Sequence, residues 1–223
     1  MYGVAVKSFP QLPNLGADPA TVGRMTGALF AVAFLAGLIG LFQVISARRG
    51  DERATIAGFP QWELLATRLF TMLIIAVAGA TVALVTLSLT VDVDTPALAF
   101  GFLVMAALIY GLIGVIVGTL VPQELEGSII LVFMADIDNA LSSGLFPIEA
   151  STTLPIVGDV DVTDFVPLYH SHELFVTAVL DGDVASGHLL PALGWVFGLL
   201  VIAFVACGRT VGNGWLTSNG GSA

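Results

Sequence analysis

Four uncharged apolar runs, at 25–47, 69–91, 96–120 and 186–208, constrain this chain more than any other feature. A helix needs about 20 apolar residues to cross the hydrocarbon core of a bilayer, and each run is long enough. Composition leads the same way. Only 11% of the 223 residues are charged and 57% are hydrophobic, with a mean hydropathy of +0.96. A soluble domain of this size carries about a quarter charged residues, so too few are present to clothe a water-soluble particle. The expected fold class is all-α: a polytopic helical membrane protein of about five transmembrane helices forming a single domain over 1–223.

The fifth span is expected at 127–147, GSIILVFMADIDNALSSGLFP, which has the length but carries Asp136 and Asp138 near its middle. Charges at membrane depth are costly and face a protein interior or a hydrated cavity, so this span is expected to be shielded from lipid on one side. Asp136, Asn139 and Ser143 recur on one helical face, while Asp138, Ser142 and Glu149 form a second polar strip beside it. Two roles remain open for these residues. They line a substrate path or subunit seam, or they join helices within the bundle. Gly111, Gly114 and Gly118, at i, i+3 and i+7 in the third span, favour close helix packing.

Basic residues set the orientation. Arg48, Arg49, Arg53 and Arg68 lie between the first two spans and Arg209 follows the last, with no Lys or Arg between Arg68 and Arg209. Five spans then place the 48–68 loop and the 209–223 tail in the cytoplasm. The 1–23 leader and the 148–185 segment lie outside, with Lys7 and Arg24 as exceptions. The net charge of −10 disfavours nucleic acid and anionic surfaces as partners. An acidic, lysine-poor surface suits high salt and points to a halophilic archaeal source. The single cysteine, Cys207, forms no internal disulfide.

Chemistry is sparsely signalled. The only lysine, Lys7, is not preceded by a Gly-rich phosphate loop, so ATP-driven work must draw on another polypeptide. No catalytic residues are legible: Asp136 and Asp138, at i and i+2, point to different sides of a helix. His170, His172, Glu173 and His188 are open to two readings, an extracellular metal site or the wet edge of an amphipathic outward or re-entrant helix over 168–180. In the second, His170 and Glu173 are neighbours at i and i+3. No metal site is assigned.

The stretch ARRGDERATIAGFPQWELLATRLF at 47–70 is the most informative. Gly58 and Pro60 divide it into a charged entry and an amphipathic piece with apolar positions at Trp62, Leu65, Leu69 and Phe70. By pattern alone, this piece is an interfacial anchor or a docking surface lying along the membrane. Between two apolar spans, this stretch resembles the permeases of ABC-2 type transporters. In that family an acidic–basic stretch with a Gly precedes a pair such as PQ and then an ELL-A-R-L helix. YGLIGVIVGTLVPQELEGSII at 110–130 and VPLYHSHELF at 166–175 are similar to the family's Gly-rich span and its P-x-x-H element.

The resemblance covers roughly 28–209 and implies that Glu52, Arg53, Gly58, Pro60, Trp62, Glu63 and Arg68 form the surface coupled to a separate ABC ATPase. It also implies a second permease subunit as partner, membrane lipid around both, and a plasma-membrane location. No cofactor is expected on this chain, because ATP would bind the partner. The family has six spans and begins inside, so its first span is expected to be missing here, through a late start or a short chain. The alternatives are a non-transporting accessory or assembly subunit and, less favoured, an intramembrane enzyme.

Overall fold

The computed structural model describes residues 18–58, 60–143, 151–154 and 158–218. Six helices follow in order: α1 (Pro19–Ile56), α2 (Gln61–Ser88), α3 (Pro96–Leu120), α4 (Glu124–Ser142), α5 (Pro167–Leu180) and α6 (Ser186–Ser218). Between α4 and α5 stand two four-residue strands, β1 (Ser151–Leu154) and β2 (Gly158–Asp161), paired antiparallel with Ser151 opposite Asp161. This short hairpin is a departure from a purely helical chain.

Among the described residues, four helices are long and apolar enough to cross a membrane: Pro19–Ala47, Ala66–Ser88, Pro96–Leu120 and Ser186–Cys207. The chain is thus an all-α polytopic membrane protein. The segment expected as a fifth span is α4, which begins earlier, at Glu124, and has 19 residues. At 1.5 Å per residue it is about 28 Å long, close to the hydrocarbon thickness of about 30 Å. Four carboxylates, Glu124, Glu126, Asp136 and Asp138, separate it in composition from the other four.

The helix α3 is the centre of the bundle, packing against all five others. Its contact with α1 is the most extensive, and glycines explain why. A Cβ on Gly40 would collide with the Gly111 carbonyl, and one on Gly114 would collide with the Gly37 carbonyl. The two backbones meet directly, as small residues permit in a membrane, where packing rather than hydrophobic expulsion joins helices. The glycine spacing in the third span therefore serves packing, and its partner is α1.

By contrast, α2, α4 and α6 carry large exposed apolar side chains, among them Phe70, Ile74, Phe133, Ile137, Phe197 and Phe204. Such a belt is what a lipid-facing surface requires. The exposed threonines of α2 fit the same environment. Thr71, Thr81 and Thr86 each donate to the carbonyl four residues earlier, at 2.9, 2.7 and 2.8 Å, so no hydroxyl is left unsatisfied in hydrocarbon.

Candidate functional site

Among the described residues, polar groups gather at three places: the turn between α1 and α2, a buried carboxylate where α3, α4 and α5 meet, and the histidines of α5.

At the first, α1 runs beyond its apolar part to Ile56, and α2 begins at Gln61. Ala57 N–H bonds to the Arg53 carbonyl at 3.0 Å, and Gly58 then adopts φ +93°, a left-handed position that ends the helix and suits glycine. Pro60 is the N-cap of α2 in extended conformation, and Glu63 sits in the first turn, where a negative charge favours the helix dipole. The amphipathic piece is not a separate element along the membrane surface. It forms the opening turns of α2, continuous with the span, and no proline interrupts 61–88.

Arg53 is exposed, while Glu63 and Arg68 are half-buried. Arg68 lies beside Cys207 of α6. Glu52 falls on α1 and Trp62 on α2, but their side chains lie outside the described part of the structure. Ser46 of α1 donates to Glu124 Oε1 of α4 at 3.4 Å, tying the start of α4 to the same end of the bundle.

The second place is built around Asp138, which is 7% exposed. Tyr110 of α3 donates its hydroxyl to Asp138 Oδ2 at 2.5 Å. Ser142, one turn on in α4, donates to Oδ1 at 3.1 Å, and the Leu168 amide donates to the same oxygen at 3.2 Å. Leu168 lies in the first turn of α5, whose N-cap is Val166 and offers no side-chain acceptor. Helix N-termini hold amide hydrogens without intrahelical partners and a partial positive charge. Asp138 meets both needs from a different helix.

The strip Asp138–Ser142 is therefore a working pair, and the neighbouring strip is not gathered with it. Asp136 is exposed, Ser143 is half-buried at the C-cap of α4, and Asn139 is half-buried with a buried Oδ1 lacking a hydrogen-bond partner. Glu149 lies outside the described residues. Tyr110 and the Leu168 amide were not anticipated. A lone tyrosine hydroxyl in the most apolar span was the available signal, since a buried Tyr O–H seeks an acceptor.

Beside Asp138 lies a cavity of about 250 Å³ lined by Tyr110, Ile113, Met134, Ile137, Leu141 and Phe165, among others.

The helix α5 is where the histidine expectation needs correction. His170 and His172 are 4% and 5% exposed, not at a wet edge. The reason is packing: α5 is covered by α3, α6, α4 and α1, and its one partly open strip is the Glu173 side rather than the histidines. Its C-terminal carbonyls meet the start of α3, with Asp94 N–H on Val179 O at 3.1 Å and Thr95 Oγ1 on Ala178 O at 2.8 Å. Its N-terminus reaches Tyr110, 14 residues into α3 and thus roughly 21 Å along it. The segment is re-entrant.

His172 Nε2 meets Thr26 Oγ1 of α1 at 3.0 Å, and His170 Nδ1 meets His188 Nδ1 of α6 at 3.1 Å. Two facing Nδ1 atoms require one ring to donate and the other to accept. Glu173 Oε1 stands 3.9 Å from His172 Nδ1, an ion-pair rather than a hydrogen-bond distance. Burial alone would raise the Glu173 carboxyl, but the His172 ring, with His188 and His170 beyond it, outweighs burial and holds it below the ordinary glutamate value. Among the described residues, no three His, Cys, Asp or Glu side chains converge as metal ligands.

Compared with known proteins, the chain matches no family model and no curated sequence.

Proposed function

We propose that this chain is the transmembrane permease subunit of an ABC-2 type exporter, driven by a separate ATP-binding subunit. One observation carries the reading: the charged motif-bearing turn is mounted on two unbroken helices. α1 continues for nine residues past Ala47, the end of its apolar part, and α2 opens five residues before its own apolar part at Ala66. A load applied at Glu63 or Arg53 therefore reaches the membrane-spanning turns without an intervening flexible joint. The likeness of 47–70 to the coupling segment of ABC-2 permeases supplies the identity of the load.

In this reading the turn faces the cytoplasm, as the four nearby arginines favour, and the end of α5, which meets the start of α3, faces outward. Cargo moves between two such subunits in the plasma membrane, and the exposed apolar faces of α2, α4 and α6 meet lipid or the second subunit.

The test is a mild-detergent pull-down of the tagged protein from native membranes in salt matched to the host, read by mass spectrometry. A Walker-A-bearing ATPase should be recovered in near-stoichiometric amount and lost from a Glu63→Ala, Arg68→Ala double variant that still folds. Recovery of the chain without any ATPase, where a known ABC complex survives the same detergent, overturns the reading in favour of an accessory or assembly subunit.

A further inference from the structure

The carboxyl of Asp138 faces the Tyr110 and Ser142 hydroxyls and the Leu168 amide, each set to donate to it. Hydrogen bonds donated to a carboxylate favour its ionised form. Three donors fill three of about four lone-pair sites, and the group also borders the 250 Å³ cavity. The rest of that lining is apolar or aromatic: Ile113, Met134, Ile137 and Leu141 in the body, with the rings of Tyr110 and Phe165 beside them. No Lys or Arg occurs anywhere from 69 to 208, and among the described residues no cationic side chain acts on this carboxyl.

An apolar space with one anionic group and two aromatic rings has a definite preference. A neutral apolar molecule would fill the walls but leave the carboxylate without a counter-charge. A hydrated metal ion would meet a single carboxylate and lose its water to hydrocarbon. A small organic cation with an apolar body matches every part, placing its charge against Asp138 and the ring faces and its body against the aliphatic wall. The volume, just under the roughly 300–1,000 Å³ of ordinary ligand clefts, admits a compact head and leaves a longer tail outside, past Met134, Ile137 and Phe165, which are 44%, 60% and 66% exposed.

We propose that the Asp138 cavity, between α3, α4 and the start of α5, is a binding site for small lipophilic cations. Taking that ligand as cargo rests on the permease reading; binding itself does not.

The experiment is equilibrium dialysis of the full chain in phosphatidylcholine nanodiscs, with empty nanodiscs subtracted. The probes are benzyltrimethylammonium and its uncharged carbon isostere, neopentylbenzene. Saturable binding of the cation, with the isostere at least about tenfold weaker, is expected. Asp138→Asn keeps an oxygen for Leu168 and Ser142 while removing the charge, and should weaken the cation by a similar factor. Leu141→Phe should weaken it by filling the wall with the charge intact.

Equal binding of both probes, or binding unchanged in Asp138→Asn, overturns the proposal. Should Asp138→Asn not fold, the comparison of the two probes on the unaltered chain still decides. No ATPase is present in this assay, so a failed pull-down with intact cation binding rejects the permease reading alone, and the reverse result rejects this site alone.

Discussion

The Leu168 amide donates to Asp138 Oδ1 at 3.2 Å across 30 residues of sequence, so the first turn of α5 is capped by a side chain of α4. The same carboxylate receives the Tyr110 hydroxyl from α3. One group thereby joins three helices at mid-bundle.

Removing that group should cost more than removing any one donor. Asp138→Ala leaves the Tyr110, Ser142 and Leu168 donors unpaired, at about 1–3 kcal/mol for each that stays buried without a partner. Tyr110→Phe removes one donor and leaves the other two bonds, costing about 1 kcal/mol. Thermal unfolding in one detergent should rank wild type above Tyr110→Phe and both well above Asp138→Ala. A ranking with Tyr110→Phe at the bottom would mean that the carboxylate is not the hub.

The α1–α3 seam makes a prediction with an internal control. Gly114→Ala and Gly40→Ala each place a methyl against backbone of the facing helix, and backbone cannot rotate away. Overpacking of this kind costs about 1–3 kcal/mol. Gly27→Ala, also in α1, meets nothing within 4 Å and gains helix propensity of up to about 1 kcal/mol. Melting temperatures should move in opposite directions for the two classes. Equal shifts would mean that the seam does not depend on bare backbone.

At the α1–α2 turn, Gly58 holds φ +93°, a conformation that a side chain opposes by about 1–2 kcal/mol. Nothing crowds the position within 4 Å, so Gly58→Val should act through the backbone alone. The bundle should stay folded with a small loss of stability, while the proposed ATPase pull-down yield falls with the altered turn. Full retention of the ATPase in a variant with the expected stability loss would show that the turn's shape is not what the partner reads.

The acid limb of stability should carry a contribution from Glu173. Its carboxyl is held below the ordinary value of 4.5, so the folded state binds that proton less readily than the unfolded chain. The resulting stabilisation is present above 4.5 and is lost as pH falls through the depressed value. Glu173→Gln should therefore flatten the decline of melting temperature on acidification below that pH. The effect is small because the side chain is 39% exposed, where solvent screens the pairing. An unchanged acid limb would remove the His172–Glu173 pair from the account.

Periodicity made the spans legible because a long uncharged run has few alternatives to a membrane helix. Gly111, Gly114 and Gly118 likewise announced a close contact, although not that α1 would supply it. What the residues could not reveal was anything requiring a partner far along the chain. Asp136 and Asp138 look alike as two acids in one apolar run, and only the arrival of Tyr110 and α5 makes one a buried hub and leaves the other exposed. The histidines misled for the same reason: alternation marks an amphipathic helix, but not whether its polar side meets water or Thr26 and His188. The Gly58–Pro60 break, by contrast, was local chemistry and could be placed directly, whereas the unbroken passage from Gln61 into α2 contains no residue that advertises continuity.

The glycine seam also bears on how such a chain is made. Synthesis delivers α1 first and α2 second, yet the tightest interface joins α1 to α3. Until Gly111 and Gly114 are made, the partner of that interface is missing and α1 has only its smaller contact with α2. A chain arrested before α3 is complete would carry the Gly37 and Gly40 face of α1 without its close-packed partner.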